Sequence, residues 1–184
     1  MIALLFACHP PEDSGPNTLL EDATPTITSS EACAACGGEC VEEELTYPAR
    51  EHVVEPVDYV DLPPAGGPHN RCWTDWGMHT EPVLDDNFVH NLEHGGVVLL
   101  WNCPAGCDAD VAAIDVFVAG HDRTVGTAYA DLPTRFAIVA WGARLLTDCF
   151  DPAAADAFYA ARFDHAPEST GSLPPSGCSE DTDG

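Results

Sequence analysis

The chain has 184 residues, no lysine, and six arginines against 31 acidic residues, for a formal net charge of −25. That charge excludes nucleic acid as a partner, because phosphates need cationic contacts, and it excludes docking through anionic lipid headgroups. It favours solubility and repulsion between copies, and an acidic surface attracts cations.

The N-terminal run Met1-Ile-Ala-Leu-Leu-Phe-Ala-Cys8 is short and apolar. A leucine three residues before a cysteine, with a small residue directly before it, resembles a bacterial lipobox. There a peptidase cuts before the cysteine, whose thiol then carries diacylglycerol. Residues 1–8 are therefore read as a lipoprotein-type signal segment; it lacks a positive start and a full apolar stretch, which a start at an internal methionine or a truncation would explain. Cys8 is the expected lipidation site, and the expected location is the periplasm or cell surface, with a lipid anchor holding the protein to the membrane. No other stretch approaches the roughly 20 apolar residues needed to span a bilayer. Nine cysteines suit disulfides in an exported chain. With Cys8 acylated, the disulfide candidates are Cys33, Cys36, Cys40, Cys72, Cys103, Cys107, Cys149 and Cys178. Local pairs are plausible within Cys33–Cys40 and for Cys103 with Cys107; the pairing is otherwise open.

Residues 9–32 are rich in Pro, Ser, Thr, Asp and Glu and are expected to be a disordered tether. A single domain is expected over residues 33–168, and a disordered tail over 169–184. Within the domain, Cys33 to Cys40 reads as a cysteine-rich knot or turn, and Val53–Val60 as one or two short strands. Leu62-Pro-Pro-Ala-Gly-Gly-Pro-His69 cannot be regular structure and reads as a loop ending in a histidine. Asp85, Asp86 or Asn87 is expected to cap a short helix running through His94, with Gly95 as its stop. Gly96–Trp101 and Phe136–Trp141 are continuous apolar runs and read as buried strands. Asp108–Val118 reads as a helix, Thr124–Tyr129 as a strand, and Ala143–Asp148 as the partner of Phe136–Trp141 across Gly142. Asp151 caps a last helix, Pro152–Arg162, with proline at its favoured first position. The predicted class is α+β: a small, mostly antiparallel sheet with two main helices on one face, braced by disulfides and flanked by disordered termini.

His90-Asn-Leu-Glu-His-Gly-Gly-Val97 is the most informative segment. On a helix, residues four apart share a face with Cβ atoms about 5–6 Å apart, so His90 and His94 can reach one metal ion, with Glu93 beside them. On a strand the two would stand roughly 13 Å apart and could not. The metal-ligand candidates are His69, His90, His94 and Glu93, with His52 next, and Met78 or His79 as additions. Imidazole with an optional carboxylate suits zinc at about 2.0–2.2 Å. It also suits copper, and a thioether from Met78 would favour Cu(I). Disulfide-bonded cysteines would be unavailable as ligands. His9, His121 and His165 are assigned no role.

Pro63-Pro-Ala-Gly-Gly-Pro-His69, Trp76-Gly77, Val89–Val97, Ala140-Trp-Gly142 and Ala166-Pro-Glu168 together resemble the domain of unknown function 3105 family, over roughly His52 to Glu168. The resemblance implies a bacterial, exported or membrane-anchored protein, and implies no reaction. Ser usually stands in that family where Ala65 or Gly66 does here, and an aromatic near Met78 and His79.

Three functions are open to such a chain. The leading expectation is an exported, lipid-anchored cell-envelope protein that binds a transition metal, zinc or copper, without turnover. The second is a metal-dependent hydrolase with Glu93 as its catalytic base; there the glutamate ordinarily follows the first histidine, as His-Glu-x-x-His, whereas here it precedes the second. The third is a non-catalytic interaction module whose histidines are structural. Cys33-Ala-Ala-Cys36 matches a redox C-x-x-C only superficially, since no thioredoxin-like βαβ pattern follows it.

Overall fold

The computed structural model describes residues 26–30 and 40–169. Cys8, Cys33, Cys36 and Cys178 lie outside the described residues, as do the signal segment and residues 170–184. The described elements are β1 (Thr26–Ser30), β2 (Cys40–Glu44), β3 (His52–Val53), β4 (His69–Asn70), β5 (Gly77–Met78), α1 (Asp85–Glu93), β6 (Val97–Trp101), α2 (Asp108–Gly120), β7 (Thr124–Ala128), β8 (Phe136–Ala140), β9 (Ala143–Thr147) and α3 (Pro152–Arg162). A seven-stranded sheet runs β1-β2-β9-β8-β6-β7-β5, and β3 pairs with β4 in a sheet of their own. The large sheet is antiparallel from β1 to β6 and parallel where β6, β7 and β5 meet. It is the mostly antiparallel α+β sheet that the sequence predicts.

The apolar runs of β6 and β8 mark strands covered on both sides. Side chains alternate across a strand. Val97 and Leu99 therefore pack with Ile114 and Phe117 of α2 and Phe158 of α3, while Val98 and Leu100 pack with Phe88, Val89 and Leu92 of α1. The helices thus lie on both faces, not on one as the sequence suggested. A third helix, α1, joins the two main ones because its face has a second apolar layer to cover.

Other expectations need correction. Thr26–Ser30 falls in the predicted tether but pairs along β2, from Thr26 opposite Glu44 to Ser30 opposite Cys40. Cys40 begins β2, and the rest of the predicted cysteine-rich turn, residues 33–39, lies outside the described residues. Of Val53–Val60 only Val53 is strand, paired through His52 and Val53 with β4. None of Asp85, Asp86 and Asn87 caps α1: Leu84 holds the cap position without a side-chain bond. The aspartates instead stand in the first turn, where the helix dipole favours negative charge. Asp151 does cap α3, its Oδ1 accepting from Ala153 N at 2.9 Å. Cys103 is bonded to Cys107, and Cys40, Cys72 and Cys149 are also in disulfides. Among the described residues no helix is long and apolar enough to cross a membrane.

Two features fix the segments that carry the histidines. Arg144 of β9 is buried and bonds Glu43 of β2, Asp61 and the Pro63 carbonyl, tying the Pro-Gly loop to the sheet. At the end of α1 the Gly96 N–H donates to Asn91 O at 3.0 Å and the Gly95 N–H to Leu92 O at 2.9 Å. This pair of hydrogen bonds closes a helix through a left-handed residue, and Gly95 has φ +81°. A Cβ there would stand 2.9 Å from the Asp164 Cα. Gly95→Ala is expected to cost about 1–3 kcal/mol through strain and backbone displacement, read as a lower urea midpoint at unchanged m-value.

Candidate metal centre

Four segments of the chain converge on one point. In the two-residue ladder His52 lies opposite His69, so the rings stand side by side with centroids 4.9 Å apart. The helix α1 packs across β4 and adds His90, Glu93 and His94 from one face. His90 lies 4.7 Å from His52 and 5.0 Å from His69, centroid to centroid. His52, His69, His90 and Glu93 offer ligand atoms all within 4.8 Å of one another. Glu93, His94 and Glu168 form a second such group, which shares Glu93 with the first.

The loop before His69 is held by its own bonds. The Tyr47 hydroxyl accepts from Ala65 N at 2.9 Å, and the Tyr59 hydroxyl donates to Pro68 O at 2.6 Å. Gly66 lies against the Tyr47 ring, where a Cβ would come within 2.6 Å of Cδ2. Asn91 holds the next segment, accepting from Thr74 N at 2.9 Å and donating to Thr74 O at 3.0 Å.

Each buried imidazole has its Nδ1 against a backbone carbonyl. His69 Nδ1 is 2.9 Å from Gly67 O, His90 Nδ1 is 2.8 Å from Asn70 O, and His94 Nδ1 is 3.0 Å from Glu168 O. A carbonyl only accepts, so each Nδ1 carries the hydrogen and, in a neutral ring, each Nε2 keeps its lone pair. Those lone pairs face one another. His90 Nε2 and His94 Nε2 are 2.9 Å apart. His69 Nε2 lies 3.0 Å from Glu93 Oε2, yet the pair is not aligned as a hydrogen bond, and neither atom has a hydrogen-bond partner among the described residues. Electron pairs brought together in this way repel unless a cation stands among them.

Burial is deep. His69, His90 and Glu93 are 0%, 2% and 1% exposed, and His94 is 9% exposed. Desolvation pushes His90 down to about 4, with the neighbouring histidines adding to the shift and the Asn70 carbonyl opposing it. A neutral imidazole is the form that ligates a metal. Burial alone would raise the Glu93 carboxyl; the His69 and His52 rings when they carry charge, together with the Arg50 guanidinium, outweigh this and hold it below its ordinary value. Arg50 Nη1 donates to Glu93 Oε1 at 3.2 Å and to Glu168 Oε1 at 3.1 Å. The His52 side chain is 46% exposed and forms the open side. The Trp73 ring walls His90 and His94 at 5.2 Å and 5.9 Å.

Met78 and His79 do not join. Met78 packs against the α2 side of the sheet, away from α1, and the His79 ring bonds Asp75 O. His121 stacks on Phe117 beside Asp156, and His165 bonds Ala161 O; His9 lies outside the described residues. His94 belongs with His90 and with the second group rather than around the centre of the first. Arg50 and Glu168 were not read as site residues from the sequence. Glu168 stands within the Ala166-Pro-Glu168 element of the family resemblance, which was the available signal.

Residues 52–173 match the family described as protein of unknown function (DUF3105), about two thirds of the chain, and the chain belongs to that family. No curated protein and no solved structure matches it.

The depressed His90 value has a consequence for the metal-free protein. The unfolded chain binds this proton with an ordinary pKa of 6.5, the folded chain only near 4. Between those values the unfolded state binds more protons, so stability rises with pH. The contribution is complete above about 6.5 and is lost as pH falls toward about 4. Urea midpoints of chelator-treated protein should fall across that window, and His90→Gln should flatten the fall.

Proposed function

We propose that this protein binds one divalent transition-metal ion at the cell envelope, without turnover, through His69, His90, Glu93 and His52. The observation that carries this reading is the gathering of ligand atoms of His52, His69, His90 and Glu93 within 4.8 Å of one another, with the Nδ1 atoms of His69 and His90 pinned to carbonyls so that their Nε2 atoms are left to ligate. His94, with its Nε2 2.9 Å from that of His90, stands beside this set and not within it. An imidazole and carboxylate set suits zinc, and equally Cu(II); it lacks the soft sulfur that favours Cu(I), because Met78 faces the other side of the sheet. The half-exposed His52 gives the ion a way in and out.

Export through the Met1–Cys8 segment, lipidation at Cys8 and anchoring to the membrane complete the proposal. The disulfides of Cys40, Cys72, Cys103, Cys107 and Cys149 support an oxidising compartment. The hydrolase reading is weaker. Glu93 Oε1 is engaged by Arg50 and Oε2 faces His69 and His52, so neither oxygen is placed as a base toward an open cleft.

Elemental analysis tests this on protein purified from an oxidising compartment without chelator or tag. Near-stoichiometric zinc or copper is expected. His69→Ala and His90→Ala should each weaken affinity at least about tenfold, the lower end of what even supporting residues contribute. Protein that holds no metal after reconstitution would leave the histidines as a polar network and overturn the proposal.

A further inference from the structure

We propose that the site contains a second metal position, formed by Glu93, His94 and Glu168 for a divalent cation, and that the Arg50 guanidinium occupies it. The inference deepens the one-ion reading above, whose ligands it shares only through Glu93.

The two ligand groups meet at one carboxylate. Glu93 turns Oε2 toward His69 and His52, at 3.0 Å and 3.6 Å, and Oε1 toward Arg50. A carboxylate with its two oxygens aimed at two cation positions is the bridging arrangement of two-metal sites, whose ions stand about 3.5–4 Å apart. On the Oε1 side stands Arg50 and, through it, Glu168 Oε1. His94 and Glu168 bring their ligand atoms to within 4.8 Å of one another and of Glu93. Glu93 is 1% exposed and His94 is 9% exposed, while the Glu168 side chain is 43% exposed, so the group runs from the core to the surface. A positive charge is already seated there: a single nitrogen, Arg50 Nη1, bonds both Glu93 Oε1 and Glu168 Oε1, at 3.2 Å and 3.1 Å. It contacts the two carboxylates that a metal ion would bridge.

Arg50 differs from the arginines that build the fold. Arg123 and Arg144 are 4% exposed, while the Arg50 side chain is 51% exposed and enters the site from outside. It can be withdrawn without opening the core. The bound guanidinium supplies one positive charge where a metal would supply two, and it has no ligand-exchange chemistry. Arg50 thereby fixes the occupancy of the centre at one ion.

The test is metal stoichiometry of the full chain with Co²⁺ and Zn²⁺, by titration calorimetry and by elemental analysis after dialysis. Wild type should hold one ion, Arg50→Met two, and Arg50→Lys, which keeps the charge, one. The second position is read by itself in a chain that also carries His52→Ala and His69→Ala. There Arg50→Met should hold one ion, and Glu168→Gln should remove it. An ion count unchanged by Arg50→Met, or an extra ion that survives Glu168→Gln, would overturn the inference. Circular dichroism melts establish that each variant is folded, and His94→Ala in place of Glu168→Gln gives a second route to the same loss. A wild type holding no ion would count against the one-ion proposal alone, because the triple variant reads the second position without it.

Discussion

The site depends on three hydrogen bonds from imidazole Nδ1 to backbone carbonyls. They decide which nitrogen of each ring is free and where it points. Gly67, Asn70 and Glu168 supply the oxygens, and these come from the Pro-Gly loop, from β4 and from the segment after α3. The fold serves to hold those carbonyls still. Tyr47, Tyr59 and Arg144 hold the first, Asn91 holds the chain that follows the second, and the third is fixed where Glu168 N donates to Glu93 O at 3.0 Å. A ring fixed in tautomer and orientation loses little freedom when it ligates, which is how supporting bonds raise the affinity of a metal centre.

Scarce cations do structural work in this acidic chain. Arg144 and Arg162 each engage two carboxylates, with Arg162 linking α3 to Glu42 and Glu44 of β2. Arg123 donates to the His94 carbonyl and to Asp164, and lies over the Phe163 ring at 4.5 Å. It thus fastens the end of α1 to the segment that carries Glu168. Buried ion pairs add little net stability, because desolvation offsets attraction, but breaking one strands a charge at about 3–5 kcal/mol. Their contribution here is placement: they join elements distant in sequence where repulsion among acids would otherwise separate them.

Local signals were legible and pairwise ones were not. The i, i+3, i+4 spacing of His90, Glu93 and His94 put three groups on one helix face, and the apolar runs located β6 and β8. Asp151 and Pro152 located the start of α3. Nothing local marks His52 as the neighbour of His69, because a two-residue strand has no periodicity to detect. Arg50 reaches Glu93 across 43 residues and Glu168 across 118, and no spacing rule spans such gaps. Thr26–Ser30 reads as tether by composition, and it becomes a strand only because β2 offers an edge. Met78 was considered as a soft ligand for its side chain alone; the parallel pairing of β5 with β7 sends it to the α2 side of the sheet.

The order of the motif carries its own chemical consequence. A helix turns about 100° per residue. The midline of two histidines four apart lies about 20° round from the first. In His-Glu-x-x-His the glutamate stands about 80° from that midline on one side, and in His90-Asn-Leu-Glu-His94 about 80° from it on the other. On that second side Glu93 meets the groups that occupy it, with Oε2 3.0 Å from His69 Nε2 and Oε1 3.2 Å from Arg50 Nη1. A carboxylate so placed neutralises charge and bridges, and a water drawn to it would have to displace an imidazole. The acidic surface with its net charge of −25 gathers cations of every kind. Under the metal-binding proposal, selection among them would fall to the nitrogen-rich centre beneath, since imidazole favours zinc and copper over calcium and magnesium.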